Sequence, residues 1–289
     1  MKFLLPLLFL CFSCGYQVPT TIQEGPSSIL GFSVPDVVLD GVVLDADKTD
    51  SDYLDSYLSE IVAPTIDPVS GTADTRVRYR KFSQLFTTDE NFQQLRLKLY
   101  KYYRDVKLAD LPKDQLHATY INAYNFFTLE TVLSNYDGGA LKSIADIGGK
   151  ESFRAFREIF YRLGGENLSL DQIEHDRLRP SLNFADGRIH FAVICASIGC
   201  PVLLDKAFRG DTLNAQLDEV TRIGLKLPRM LDLRNGKFKV SQIFDWFIDD
   251  FINQSGSVEA FIRQYSNGLP PTLPELEYVT YDWGLNDIP

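Results

Sequence analysis

A chain of 289 residues that is 45% hydrophobic and 12% aromatic carries enough apolar material for a full buried core. Its formal net charge is −10, from 29 basic against 39 acidic residues. That balance argues against a nucleic-acid partner, because binding to a phosphate backbone relies on clustered Lys and Arg, whereas the basic stretches here (Arg76 to Lys81, Arg96 to Arg104) are interleaved with aromatic and acidic residues.

Residues 1–14 read as a targeting segment. Lys2 supplies a positive start, and Phe3 to Phe12 is an apolar run too short to span a bilayer, which takes about 20 such residues. Phe12-Ser13-Cys14-Gly15 is similar to the end of a bacterial lipoprotein signal, with Cys14 as the lipidated residue. Cys11 stands where that pattern prefers Leu, which leaves ordinary cleavage as the alternative. Either route predicts an exported protein of the cell envelope, facing the periplasm or the cell surface, where disulfides persist. Residues 15–46, rich in Pro, Gly, Ser and Thr, read as a flexible tether to the membrane, and 47–289 as one globular domain.

Within that domain the expected elements begin with a helix over Asp52 to Val62, followed by an extended Val77-Arg78-Tyr79 leading into further helix. Pro112 to Ser134 has apolar residues at three- and four-residue spacing and reads as a core helix. Tyr161 to Leu170 holds two short apolar runs about Gly164-Gly165, as a tight hairpin would. Ser169 with Gln172 three residues on fits a capping box, opening a helix that carries Glu174 and His175 and stops before Pro180. Residues 188–195, dominated by Ile, Phe and Val, read as a buried strand, and Pro201 suits the first turn of a short helix to Phe208 with Cys200 at its N-cap. An amphipathic helix over Asp211 to Leu227, a turn at Asn235-Gly236, a strand over Lys237 to Val240, a helix from Ser241 to Phe251 and a strand over Glu277 to Trp283 complete the set. The fold class is α+β: a mostly helical single domain around a small antiparallel sheet.

Thiol chemistry has one place to occur. Arg188 to Pro201 holds one of three histidines and the only cysteines beyond residue 14, Cys195 and Cys200. A cysteine at a helix N-terminus has its pKa lowered from about 8.5, the condition for a nucleophile; the alternative is a small buried hydrophobe.

Tyr120-Ile-Asn-Ala-Tyr-Asn125, Ser143-Ile-Ala-Asp-Ile-Gly-Gly149, Leu168-Ser-Leu-Asp-Gln-Ile-Glu-His175, Leu178-Arg-Pro180, the segment from His190 to Pro201, Ile243-Phe-Asp-Trp246 and Tyr281-Asp-Trp-Gly-Leu-Asn286 resemble, in order, the motifs of the family catalogued as domain of unknown function 547, over residues 77–286. The resemblance implies a papain- or transglutaminase-like α+β arrangement. Some relatives join this domain to a glutaredoxin-like one, which implies thiol or glutathione-related chemistry. In a papain-like order the helix bearing Asn125 would offer the nucleophile at its start, and no cysteine lies there. The chain departs from the family's Ser-Cys-Pro-Pro, with Gly199 before Cys200 and Val202 after Pro201, so an altered loop is expected.

A thiol site needs a base within about 3 Å and an orienting group. On a regular strand His190 and Cys195 would lie about 16 Å apart and face opposite sides, and His190 would meet Cys200 only if residues 196–199 doubled back. His175 is therefore the better base on geometry. Glu174, about 100° around the helix from His175, serves another partner, either Arg177 or a buried backbone group, or acts as catalytic acid or base. Asn122 and Asn125 share a helix face and bind either a neighbouring loop or substrate; Asp282 either anchors the C-terminal motif or reaches into the site. A zinc site from Cys195, Cys200, His175 and His190 has poor spacing, so no metal and no cofactor are expected. A Cys195–Cys200 disulfide, which requires Cα atoms within about 7 Å, would remove the nucleophile.

Two functions follow. One is a thiol-dependent hydrolase or acyl-transferase acting on a peptide or glutathione-like amide, with Cys200 as nucleophile, His175 or His190 as base and Asn125 or Asp282 orienting. The other is a non-catalytic envelope lipoprotein that binds a peptide or partner.

Overall fold

The central element is the helix α4 (Lys113–Asn135), buried at every position from His117 to Leu133, and a helix with no solvated face belongs in the middle of a core. The computed structural model that places it describes residues 37–179 and 186–288. The signal-like segment with Cys14, and residues 15–36 of the expected tether, lie outside the described residues. Residues 37–46 carry no helix or strand, and Val37, Leu39 and Leu44 pack against the core.

Three helices wrap α4 on the N-terminal side: α1 (Asp50–Ile61), α2 (Tyr79–Thr88) and α3 (Glu90–Asp105). Tyr57, Phe82, Phe92 and Phe126 interlock there with ring centroids 5.2–5.8 Å apart, within the range at which aromatic pairs attract. The expected helix over Asp52 to Val62 is α1, opened by Thr49, whose backbone N–H donates to the Asp52 carboxylate at 2.9 Å.

The strands form three separate small sheets among the described residues, where a single antiparallel sheet was expected. β1 (Val62–Ile66) pairs antiparallel with β2 (Ala73–Val77), and β3 (Phe160–Leu163) with β4 (Glu166–Ser169). β6 (Phe238–Ser241) pairs antiparallel with β5 (Leu231–Asp232) and parallel with β7 (Leu276–Val279). The β3–β4 hairpin turns on Gly164 and Gly165 at φ +58° and +86°, a conformation that favours glycine. The class is α+β, as expected.

Two expectations near the cysteines are corrected. Residues 188–195 are a short helix, α7 (Ile189–Ala192), followed by extended chain. The Asp186 carboxylate accepts from the backbone N–H of Arg188 at 3.0 Å and starts the helical turn. The Asn125 amide stops it, donating to Ala192 O and accepting from Ile194 N–H, both at 2.9 Å, so these groups leave the helical pattern. Residues 201–208 form no helix either, because distant side chains take their backbone groups. Thr75 Oγ1 donates to Leu203 O at 2.8 Å, Asp55 accepts from Ala207 N–H at 2.6 Å, and Asn122 bonds both backbone groups of Phe208 at 2.8 Å.

The remaining helices are α5 (Arg154–Glu158), α6 (Leu170–Gln172), α8 (Leu213–Gly224), α9 (Ile243–Trp246), α10 (Ile248–Ser255) and α11 (Val258–Tyr265). Beyond β7, residues 282–288 run back across the cysteine loop. Ile198 N–H donates to Gly284 O at 2.7 Å, Gly199 N–H to Asp282 O at 2.8 Å and Asn286 N–H to Ala196 O at 3.0 Å, while Val77 N–H donates to Asn286 O at 3.0 Å.

Candidate functional site

The turn that follows α6, α7, the cysteine loop, α9, Tyr281 and Trp283 line a cleft of about 220 Å³. It is smaller than the roughly 300–1,000 Å³ of sites for drug-sized ligands.

The α6 segment enters through the capping box read from sequence: Ser169 N–H donates to Gln172 Oε1 at 3.0 Å and Gln172 N–H to Ser169 Oγ at 3.2 Å. It continues as a π-helical turn over Ile173–Leu178, a widened geometry frequent at functional sites. Glu174 and His175 diverge from it, as their angular separation predicts. The suggested Glu174–Arg177 pair does not form, because Arg177 bonds Glu166 at 2.8 Å. Glu174 instead faces His190, its Oε1 4.0 Å from Nδ1. His175 leans toward Phe247, ring centroids 6.1 Å apart, and its Nδ1 is buried without a hydrogen-bond partner.

His190 on α7 is 2% exposed and stacks on Phe247 at 4.0 Å between centroids. Its Nε2 lies 2.8 Å from Asp250 on α10, which also takes two bonds from Arg179 at 2.9 and 3.2 Å. Burial alone would raise the Asp250 pKa, but the His190 and Arg179 bonds prevail and hold it below the ordinary carboxylate value. Asp250 thus holds the Nε2 side of the ring, and Nδ1 is the nitrogen on the side of Glu174. Sequence reasoning missed Asp250. The signal for it is slight: an acidic residue that falls on the buried face of α10 beside Phe251.

The two sulfurs of Cys195 and Cys200 meet as a disulfide, with Cα atoms 6.3 Å apart. The loop doubles back through Ala196, held at φ +57° with no glycine to relieve it, a conformation that costs of order 1 kcal/mol or more. Cys200 is 2% exposed, whereas Cys195 is half-buried. The Cys195 N–H donates to Cys200 Sγ at 2.9 Å. Tyr281 Oη lies 2.9 Å from Cys195 Sγ and 3.3 Å from Cys200 Sγ, and Ser197 Oγ lies 3.1 and 3.4 Å from the same two atoms. Burial pushes the Tyr281 hydroxyl well above its ordinary pKa, so it remains a donor. Arg229 fixes the loop from behind, donating from Nε to Cys200 O at 2.8 Å while its other nitrogens clasp the buried Asp74 at 2.8 and 2.6 Å. At Gly199 a Cβ would stand 2.9 Å from the Tyr281 ring. The absent side chain is what lets the ring close over the sulfurs.

His190 and both cysteines, placed far apart by the strand reading, line one cleft together with Glu174 and His175. Asn125 and Asp282 are not among its lining residues. Asn125 holds the 192–194 backbone, and Asp282 is exposed and caps its own turn, accepting from Gly284 N–H at 2.8 Å. Asn122 likewise serves a loop, and donates to Asp50 at 3.0 Å. Among the described residues no group of three or more His, Cys, Asp or Glu side chains is placed to hold a metal ion, and no helix is long and apolar enough to cross a membrane.

No curated protein matches the chain, and no solved structure does. Residues 108–223, a stretch that takes in Glu174, His190, Cys195 and Cys200 and stops short of Asp250 and Tyr281, match the model of a family described as protein of unknown function, DUF547.

Proposed function

We propose that the cleft is the active site of a thiol-dependent hydrolase or acyl-transferase for a peptide or glutathione-like amide, with reduced Cys200 as nucleophile and His190 as the acid–base group. The observation that carries this reading is an imidazole, held at Nε2 by a buried carboxylate, that shares a cleft of about 220 Å³ with both sulfurs. A thiolate there attacks the amide carbon, the C–N bond breaks, and His190 Nδ1 delivers a proton to the leaving nitrogen. Water or another acceptor then cleaves the thioester as the imidazole takes its proton. Asp250 orients the ring, a role the sequence reading gave to Asn125 or Asp282. The export signal read at the N-terminus, with a lipid on Cys14, would place this activity in the cell envelope, where the cysteine pair stays oxidised until a reductant reaches it.

Iodoacetamide labelling of the reduced, folded protein across pH, with peptide mapping, tests the reading. Cys200 should label with an apparent pKa below about 8, and His190→Gln should shift that profile upward. No labelling of Cys200 in the folded reduced protein removes the nucleophile and leaves the second reading, a non-catalytic envelope protein that binds a peptide. That second reading is favoured by the 2% exposure of Cys200 and by the Trp246–Trp283 stack at 5.8 Å beside the cleft.

A further inference from the structure

We infer that the Cys195–Cys200 disulfide undergoes thiol–disulfide exchange in this cleft, with Cys195 the sulfur attacked by an incoming thiol and Cys200 the sulfur that leaves. Access sets the direction. Cys195 is half-buried at the cleft wall and Cys200 is 2% exposed, so an incoming sulfur meets Cys195 first.

The leaving side is prepared as well. Exchange proceeds faster when the departing sulfur is a stabilised thiolate, and hydrogen bonds to a charged form favour that form. The Cys195 N–H already points at Cys200 Sγ at 2.9 Å, a bond made to that sulfur alone. The hydroxyls of Tyr281 and Ser197, 3.3 and 3.4 Å from Cys200 Sγ, bridge the pair and turn to whichever sulfur bears charge. Arg229, through Cys200 O and Asp74, holds the leaving residue's backbone while the bond breaks.

The step balances with a dithiol as reductant. Its first thiolate attacks Cys195 Sγ, a mixed disulfide forms, and the electron pair of the Cys195–Cys200 bond passes to Cys200 Sγ. The second thiol of the reductant attacks the mixed disulfide, which releases Cys195 and closes the reductant's own disulfide. The protein gains two electrons and two protons, and the dithiol loses them. Exchange would supply the Cys200 thiolate that acyl transfer uses, but it stands without that chemistry.

The experiment treats the oxidised full chain with a limiting pulse of 2-mercaptoethanol, quenches with N-ethylmaleimide and maps the adducts by mass. The mercaptoethanol adduct should fall on Cys195 and the maleimide on Cys200, in about tenfold excess over the reverse pattern. A predominant adduct on Cys200 overturns the assignment, and so does a disulfide that resists dithiothreitol in the folded protein while the urea-unfolded chain is reduced at once. Tyr281→Phe, with its thermal midpoint measured alongside, should slow native reduction by about three- to tenfold; an unchanged rate overturns the leaving-group arrangement. No amide substrate is present, so these outcomes are independent of the labelling test of the hydrolase reading.

Discussion

Two clusters of buried charge, one inside the helical core and one at the cleft, are built on different plans. In the core, Glu130 is fully buried. It accepts from Tyr57 Oη and Tyr100 Oη at 2.9 Å each and from Arg96 Nε, and the Arg96 guanidinium lies 4.6 Å over the Phe86 ring. Both carboxylate oxygens end on donors of the same core. At the cleft, Asp250 is equally well held by His190 and Arg179, but the far nitrogen of His190 faces Glu174 across 4.0 Å, and both residues line the cleft. The core charge has all its partners inside one packed cluster, whereas the imidazole and carboxylate at the cleft line a cavity.

Substitutions that treat the two clusters alike should give unlike results. Glu130→Ala strands Arg96 among hydrocarbon and should cost about 3–5 kcal/mol in chemical denaturation; a loss below about 1 kcal/mol would mean that the core cluster is not a closed unit. Asp50 is an intermediate case. It is buried at the start of α1 and bonded to Asn122, but its Oδ1 has no partner, and burial raises its pKa to about 6. The folded state thus holds this proton more tightly than the unfolded chain, so stability falls as pH rises from about 4 to about 6 and stays lower above. Asp50→Asn should remove that fall and add on the order of 2–3 kcal/mol at pH 7. His117, lowered to about 4 mainly by burial, acts in the opposite sense: its contribution is present above about 6.5 and lost as pH falls toward 4. The two slopes oppose each other in the native protein, and thermal melts of Asp50→Asn between pH 4 and 7 should shift toward the His117 slope, opposed still by Asp171, whose pKa burial also raises. Glu174→Gln should change stability least, by less than about 1 kcal/mol, yet alter the pH profile of Cys200 alkylation. An equal loss of stability at Glu130 and Glu174 would erase the distinction between the clusters.

What the sequence made legible depended on how far each interaction reaches. The core helix, the Ser169–Gln172 capping box and the Gly164-Gly165 hairpin follow from rules acting within a few residues, and they appear where expected. The segment 188–195 failed as a strand because its side chains are almost all buried, which removes the alternation that marks a half-buried strand, and because Asn125, distant in sequence, redirects its backbone. Pro201 fits an extended chain as well as a first helical turn, and Thr75, Asp55 and Asn122 decide for the former. The site inherited these misreadings: once 188–195 bends, His190 and the cysteines share a cleft, and Asp250, 60 residues from His190, completes a pair that no local pattern announces.

The strap formed by residues 282–286 bears on the order in which the molecule is made. Tyr281 follows Cys200 by 81 positions, so during translation the cysteines emerge long before the ring and backbone that roof them. Until residues 282–286 dock, neither the Tyr281 ring nor the strap backbone covers the 196–200 loop, so access to the Cys195–Cys200 pair is governed by the docking of the C-terminal segment.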